Sequence, residues 1–134
     1  MRVVFDTNVL LAAFLTEGLC AKLLIRARKR EFEMFLCPVI FSELERILKK
    51  KFKANPQEIT ETLAIINEAA QQTVTPDRTV EGICRDKDDD HILACAAAIK
   101  AEYLVTGDAD LLTLKIFEGI RILSPRDFEA MMEV

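Results

Sequence analysis

The fold of this chain is decided by the stretch ICRDKDDDHILACAAAIKAEYLVTGDADLL, residues 83–112. The charged run 85–90 passes without a spacer into the apolar run 92–99. Because alanine lets neighbouring backbones approach closely, the apolar run predicts a helix that is buried on nearly every side. A short strand, 103–106, then leads through a glycine turn to a second acidic segment. The stretch therefore predicts two sets of carboxylates at the rim of one core, an arrangement suited to a hard cation.

Length and composition predict one globular domain. The chain has 134 residues, of which 51% are hydrophobic. A chain of this length buries about two-thirds of the surface that its unfolded form exposes. We therefore expect a packed core and a single domain over residues 1–134. The apolar runs are far shorter than the ~18 residues that a membrane helix needs, so we expect no membrane attachment.

Four cysteines and a single histidine limit the metal chemistry of the chain. Cys20, Cys37, Cys84 and Cys95 show no CxxC spacing, so a zinc site is not expected. We expect free thiols, at least one of them in the buried helix, and hence a reducing, cytoplasmic location. The net charge of −4 argues against a protein wrapped broadly by nucleic acid, but it is compatible with local contact to a single strand.

The N-terminal residues RVVFDTN, 2–8, predict a buried strand followed by a polar turn. An entirely apolar strand is typical of the centre of a parallel sheet that is covered on both faces. Asp6 would then lie at the carboxyl end of the strand, where open α/β sheets bind ligands. An alternative is that Asp6, Thr7 and Asn8 only form an Asx-type turn or cap the next helix.

The remaining pattern alternates helices with strands. Helices are predicted at 10–30 (with an interruption at 16–18), 39–51, 56–70 and 125–132, and strands at 35–37, 72–75 and 121–123. This alternation favours an α/β fold, a three-layer α/β/α sandwich with a mostly parallel central sheet.

The predicted helix 39–51 places an acid beside its apolar stripe. At about 100° per residue, Ile40, Leu44 and Ile47 share one side of the helix. Glu43 flanks this stripe, where its carboxylate is drawn towards the edge of the core. The alternative is an ordinary surface residue whose stem packs on the stripe.

Two basic runs end predicted helices: RARKR, residues 26–30, and KKKFK, residues 49–53. Cations at a helix C-terminus complement the helix dipole, which accounts for both runs. The alternative is that they contact phosphates and so position a nucleic-acid backbone without reading its sequence.

Four acids on these elements can meet at one end of the sheet: Asp6, Glu43, Asp90 and Asp108. Carboxylates about 5 Å apart repel by roughly 3 kcal/mol per pair at an effective dielectric constant of about 20. Such a cluster needs raised pKa values or a bound cation. Oxygen ligands without His or Cys suit one or two Mg²⁺ or Mn²⁺ ions, which can activate a water and stabilise a phosphodiester that is being cleaved.

The chain resembles the PIN-domain ribonucleases, and within them the toxin components of VapBC-type toxin–antitoxin pairs and their near relatives. The resemblance covers essentially the whole chain and rests on VVFDTNVLL, the Glu of SELERIL, DDDHILACA, and LVTGDADLL followed by ILSPRDF. Carried over by position, the acidic metal site of that family corresponds to Asp6, Glu43, Asp90 and Asp108.

The resemblance has further implications for neighbouring residues and for partners. Thr7, Asn8 and Thr106 match the small polar residues that such sites place beside the acids. An antitoxin protein and a homodimer are implied as partners, and single-stranded RNA is implied as the substrate.

Two of the acid assignments have alternatives. Asp88, Asp89 and Asp90 are consecutive, so the third ligand can shift along the chain. Asp90 is preferred because it lies nearest the apolar run, which leaves Asp88 and Asp89 to cap the helix or to support the ligands. Asp110 can share the fourth role with Asp108.

His91 follows the third acid and admits either a general-base or a surface interpretation. Other acid-rich classes fit less well. A receiver-type phosphoacceptor expects a lysine after a late strand, where this chain has Thr106, and a haloacid-dehalogenase-type phosphatase expects a second aspartate where this chain has DTN at 6–8. We therefore predict a metal-dependent ribonuclease that hydrolyses single-stranded RNA. The alternative is a catalytically silent PIN-like module that binds RNA or protein.

Overall fold

The computed structural model describes residues 1–133, and these form a mixed α/β fold. The strands are β1 (Arg2–Phe5), β2 (Glu33–Leu36), β3 (Gln72–Thr73), β4 (Tyr103–Val105), β5 (Ile116–Phe117) and β6 (Ile120–Leu123). The helices are α1 (Thr7–Leu15), α2 (Leu19–Arg28), α3 (Pro38–Lys50), α4 (Pro56–Ala69), α5 (Lys87–Ile99), α6 (Ala109–Leu114) and α7 (Pro125–Met132).

The six strands form one sheet in the order β3-β2-β1-β4-β6-β5. All neighbouring pairs are parallel except β5 with β6. β1 lies inside the sheet, and Val3, Val4 and Phe5 are fully buried, as expected of a strand covered on both faces. The predicted sandwich with a mostly parallel sheet is confirmed.

Helix starts agree with the capping residues in the sequence. Asn55 and Glu58 form a reciprocal capping box at α4, and Ser124 accepts the N–H of Asp127 at the start of α7. A proline stands in the first turn of both helices. These signals satisfy N–H groups that a helix terminus leaves without partners, and the predicted starts of α4 and α7 are confirmed.

Two helices begin earlier than the apolar pattern predicts. α1 begins at Thr7 rather than at residue 10, because Asp6 Oδ1 accepts the N–H of Thr7 at 2.7 Å. α5 begins at Lys87, five residues before the apolar run, because the side chain of Asp86 accepts the N–H of Asp88 at 2.9 Å. The acids that precede the apolar run therefore lie inside the first turn of α5.

Helix α6 and strand β5 were not predicted from the sequence. Both are short, and β5 pairs antiparallel with the edge of β6. The predicted interruption at 16–18 is confirmed, since α1 ends at Leu15 and α2 begins at Leu19. Within residues 1–133 no single helix is long and apolar enough to cross a membrane, and α1 with α2 meets that test only as a pair bent by 103°.

The cysteines depart from the expectation of free thiols. Cys37 and Cys95 form a disulfide with a Cα–Cα distance of 6.0 Å, and both are fully buried. Cys37 precedes α3 and Cys95 lies in the middle of α5, two helices that pack against each other. Cys20 and Cys84 are free. The expectation of free thiols was wrong for this pair, because 58 residues separate partners that only the tertiary fold brings together. The argument for a reducing compartment loses that support.

The basic run RARKR is largely engaged within the fold. Arg26 forms ion pairs with Glu31 and Glu133, each at 2.9 Å. Arg30 donates to the carbonyl oxygens of Glu68 and Ala69 at the C-terminus of α4. Arg26 and Arg30 therefore bind acids and the C-terminus of α4, a helix other than the one that the run ends.

Candidate metal centre

Two of the predicted acids follow neighbouring strands at one edge of the sheet. β1 and β4 pair in parallel, with Phe5 opposite Val105. The N–H of Asp6 donates to the carbonyl oxygen of Val105 at 2.9 Å, and Asp108 caps α6 three residues further along the chain. Both side chains thus lie at the carboxyl ends of adjacent strands, where α/β sheets bind ligands.

The hydroxyl group of Thr106 joins these two acids. It donates to Asp6 Oδ2 at 2.7 Å and accepts the N–H of Asp108 at 3.0 Å. The other oxygen of Asp6 accepts the N–H of Thr7, and Asn8 Nδ2 donates to Asp6 Oδ2 at 3.5 Å. The small polar residues predicted beside the acids therefore lie in contact with them and orient Asp6.

Asp108 belongs to a compact group of three acids, which does not include Asp6. Asp89, Asp108 and Asp110 each place one carboxylate oxygen within 4.8 Å of the others, and this is the one such group of potential metal ligands found among residues 1–133. Asp89 lies in the first turn of α5, and the other two lie at the start of α6. An all-oxygen donor set at this spacing suits a hard divalent cation.

Asp90, the third ligand predicted from the sequence, is not part of this group. Neighbouring residues of a helix point about 100° apart, and Asp90 Oδ1 instead accepts the N–H of Cys84 at 2.8 Å. The prediction preferred Asp90 because it lies nearest the apolar run. Helix α5 begins earlier, at Lys87, and it is Asp89 that has a carboxylate oxygen near those of Asp108 and Asp110.

Glu43 lies in the second turn of α3 and is half-buried. Burial, followed by the charges of Asp6 and Asp88, raises the pKa of Glu43 to about 7, while Arg46 opposes this shift. The carboxylate is thus within electrostatic reach of Asp6, on the side of the site that faces α3. The structure brings Glu43 towards the acids, although it is not a member of the group within 4.8 Å.

The electrostatics of the centre show uncompensated negative charge. Burial, and then the charges of Asp108 and Asp6, raises the pKa of Asp89 to about 7. Burial also raises the pKa of Asp6, with hydrogen bonds from Thr106 and Thr7 working against it. A divalent cation would relieve this repulsion. The buried Thr7 Oγ1 has no hydrogen-bond partner among the described residues. This hydroxyl oxygen, on the residue after Asp6, is therefore available as a ligand for a cation. The donor set fits Mg²⁺ or Mn²⁺.

Asp110 forms an ion pair with an arginine side chain, that of Arg85. Arg85 donates to both of its oxygens, at 2.7 and 3.2 Å, and lowers the pKa of Asp110. Asp108 has no such ion pair within residues 1–133, and its Oδ1 accepts the N–H groups of Asp110 and Leu111. Of the two acids that shared the fourth role, Asp108 is therefore the one with a carboxylate oxygen left for a cation.

Two residues near the centre were missed from the sequence, Asp86 and Arg85. Asp86 caps α5, and its charge raises the pKa of both Glu43 and Asp89. Aspartate is a preferred N-cap residue, and this preference is the signal that could have identified Asp86. His91 is a surface residue: its side chain is 56% exposed, and its Nδ1 lies 4.0 Å from Asp88 Oδ1.

Comparisons with known proteins agree with this fold. The family model described as PIN domain matches residues 2–110. No curated protein matches the sequence significantly. Among solved structures, a chain from the crystal structure of VapBC2 from Rickettsia felis, bound to a DNA fragment from their promoter, superposes with a TM-score of 0.66. The superposition covers 92% of this chain and 98% of that one at 15% sequence identity.

Proposed function

This chain belongs to the PIN-domain family, and from that membership we propose that it is a metal-dependent ribonuclease that hydrolyses phosphodiester bonds of single-stranded RNA. The observation that carries the proposal is the set of acids around the carboxyl ends of β1 and β4. Asp108 has a carboxylate oxygen within 4.8 Å of oxygens of Asp89 and Asp110, and burial followed by neighbouring charges, among them that of Asp6, raises the pKa of Glu43 and of Asp89 to about 7.

In the proposed site, Asp6, Glu43, Asp89 and Asp108 hold one or two Mg²⁺ or Mn²⁺ ions. A bound ion would lower the pKa of an attacking water and stabilise the charge that develops on the phosphate. The chain supplies the orientation of the ligands: Thr106 holds Asp6 and the start of α6, and Asp86 fixes the first turn of α5 that presents Asp89. Water is the proposed nucleophile, and His91 has no role.

The direct test is cleavage of labelled single-stranded RNAs of mixed sequence by the purified chain with Mn²⁺, with EDTA, and in an Asp6→Asn variant. Asparagine keeps an oxygen that can accept the N–H of Thr7, so the fold should survive. Cleavage that requires both Mn²⁺ and Asp6 supports the proposal. Metal binding and RNA binding without cleavage would favour the catalytically silent module.

The raised pKa values of Glu43 and Asp89 predict a pH dependence of stability. Both carboxyls lose their protons near pH 4 in the unfolded chain and near pH 7 in the folded one. The folded state thus holds more protons in this window, and the free energy of unfolding of the chelated protein should fall as pH rises through it. Thermal melts across the window check this expectation, which a stability that increases with pH would contradict.

The same carboxyls predict a metal response that grows with pH. Mn²⁺ at one hundred times its Kd should stabilise the protein by roughly 2.7 kcal/mol near neutral pH, where the ligands are ionised. The effect should shrink near pH 5, where protons compete with the ion. An Asp89→Asn variant is the control, since it lacks one ligand and should respond more weakly at neutral pH.

The Arg85 ion pair predicts unequal roles for the two acids of α6. Asp108→Asn should lower cleavage by more than the roughly 100-fold that outer residues of a metal site typically contribute. Asp110→Asn should cost no more than about 10- to 100-fold, because its partner is Arg85 rather than the ion. Initial rates at saturating Mn²⁺ measure both variants, and a larger loss in Asp110→Asn would reverse the assignment.

We further propose that the chain, one domain over residues 1–134, is the toxin component of a toxin–antitoxin pair and acts as a homodimer. The fold similarity to a chain of VapBC2 supports this proposal. Growth arrest on induced expression, absent in Asp6→Asn, would support a toxin role. Light scattering on the purified chain measures its oligomeric state.

A further inference from the structure

The basic run at the end of α3 forms, with the face of that helix, a path that leads away from the candidate metal centre. We propose that α3 guides a single-stranded RNA along Arg46 and Lys50 to a stacking platform at Phe52. This inference rests on the proposed function, because the path starts at Glu43. It assigns the strand a route and an interaction surface that the acidic residues do not provide.

The residues lie on one face of the helix by position. Arg46 and Lys50 follow Glu43 at i+3 and i+7 in α3, and residues at these separations share a helix face. The axial rise of about 1.5 Å per residue places Lys50 roughly 10 Å from Glu43 and about 6 Å beyond Arg46. We call Arg46 and Lys50 the α3 stripe. It connects a candidate metal ligand to the end of the helix.

The charges of the stripe are available to a ligand. Arg46 and Lys50 are exposed, and across residues 1–133 neither forms an ion pair, in contrast to Arg26, which is held by two glutamates. Arg46 is close enough to Glu43 to oppose the rise of its pKa. The cations therefore begin directly beside the acids and continue to Lys50 in a chain whose net charge is −4.

An aromatic residue, Phe52, follows α3 two positions after Lys50. It is 42% exposed, and it is the aromatic one among the exposed large hydrophobic side chains of residues 1–133. Lys51 Nζ lies 5.9 Å from the centroid of its ring, and Lys53 follows it in sequence. Single-stranded nucleic acids bind to such combinations, with phosphates on cations and a base stacked on the ring. An acidic protein segment would pair with the cations but would offer nothing to stack on the Phe52 ring. RNA is therefore the ligand that can contact both the cations and the ring.

The test measures binding of labelled oligouridylate to the wild-type chain in EDTA, over a series of salt concentrations. The variant is Arg46→Gln with Lys50→Gln, and the matched control is Arg28→Gln with Lys29→Gln, which removes the same charge from the other basic run. Each lost phosphate contact lowers the slope of log K against log salt by about 0.7 for a single strand. We expect a decrease of about 1.4 in the stripe variant and no change in the control.

The ring is tested separately. Phe52→Ala should weaken RNA binding roughly tenfold, as loss of one stacked base does, whereas Phe52→Tyr should retain it. Thermal melts confirm folding, since these side chains are exposed. Equal effects in the stripe variant and its control would overturn the proposal. Binding of polyglutamate at least as tight as that of oligouridylate, and lost in the stripe variant, would also overturn it and would assign the stripe to an acidic protein partner.

Cleavage assays separate this inference from the proposed function. If the chain cleaves RNA, Lys50→Gln alone should raise KM and leave kcat unchanged, because Lys50 lies roughly 10 Å along the helix from Glu43 and so contacts nucleotides remote from the reacting phosphate. Cleavage with an unaltered KM would contradict the proposed RNA path and leave the nuclease proposal intact. Stripe-dependent binding without any cleavage would support the path and contradict the nuclease proposal.

Discussion

Asp89→Asn should reduce RNA cleavage by more than the roughly 100-fold typical of residues that only support a metal ligand. Asp89 is buried, and one of its oxygens lies within 4.8 Å of oxygens of Asp108 and Asp110. The substitution also removes a charge that its neighbours repel. We therefore expect the chelated variant to melt at or above the temperature of the wild type near neutral pH.

Asp90→Asn is the matched control, one residue away and equally acidic. Its amide oxygen can still accept the N–H of Cys84, so cleavage should stay within about tenfold of wild type, a difference of 1.4 kcal/mol at most. Exchange of a charged for a neutral acceptor should cost about 1 kcal/mol of unfolding free energy. Initial rates and denaturant titrations of both variants measure these quantities. The opposite pattern, with loss of cleavage in Asp90→Asn alone, would restore the assignment made from the sequence.

Loss of the Cys37–Cys95 disulfide should have the largest effect on stability. The bond closes a loop over a sequence separation of 58 residues, and the chain-entropy relation gives about 4 kcal/mol for a loop of this length. The double variant Cys37→Ala with Cys95→Ala should lose free energy of unfolding of this order, measured by urea titration. The bond also ties α3, which carries Glu43, to α5, which carries Asp89.

Controls distinguish the disulfide from the loss of two buried side chains. A reducing agent should destabilise the wild type but leave the double variant unchanged. Cys20→Ala, which alters a free thiol, should retain the response to reductant. Thiol titration of the unfolded, unreduced wild type should find two reactive cysteines. Four reactive thiols, with no response to reductant, would contradict the bond.

The fold was largely predictable because its signals are local. The apolar β1, the capping box at Asn55 and the Ser124–Pro125 start of α7 depend on residues adjacent in sequence. The positions of Asp6 and Asp108 after parallel strands followed from the same pattern. Helix α6 and strand β5 are too short to give a clear pattern in the sequence, and neither was predicted.

The third acid and the disulfide required information that is not local. The choice among three consecutive aspartates depends on which face of α5 each one occupies, and all three lie within the helix because the cap at Asp86 precedes them. The pairing of Cys37 with Cys95 depends on how α3 packs against α5. Arg85 was missed for the same reason, because its partner Asp110 lies 25 residues away.

Two acids of the proposed metal site also cap helices, and this second function affects which acids an inactive descendant would retain. Asp6 and Asp108 each accept main-chain N–H groups at the start of a helix, and selection for folding alone would retain them after catalysis had ceased. Glu43 and Asp89 cap no helix within residues 1–133 and carry raised pKa values. Mutational drift in an inactive descendant should therefore reach these two positions first. In this chain both positions are acidic, so the sequence lacks the change that such drift would bring first.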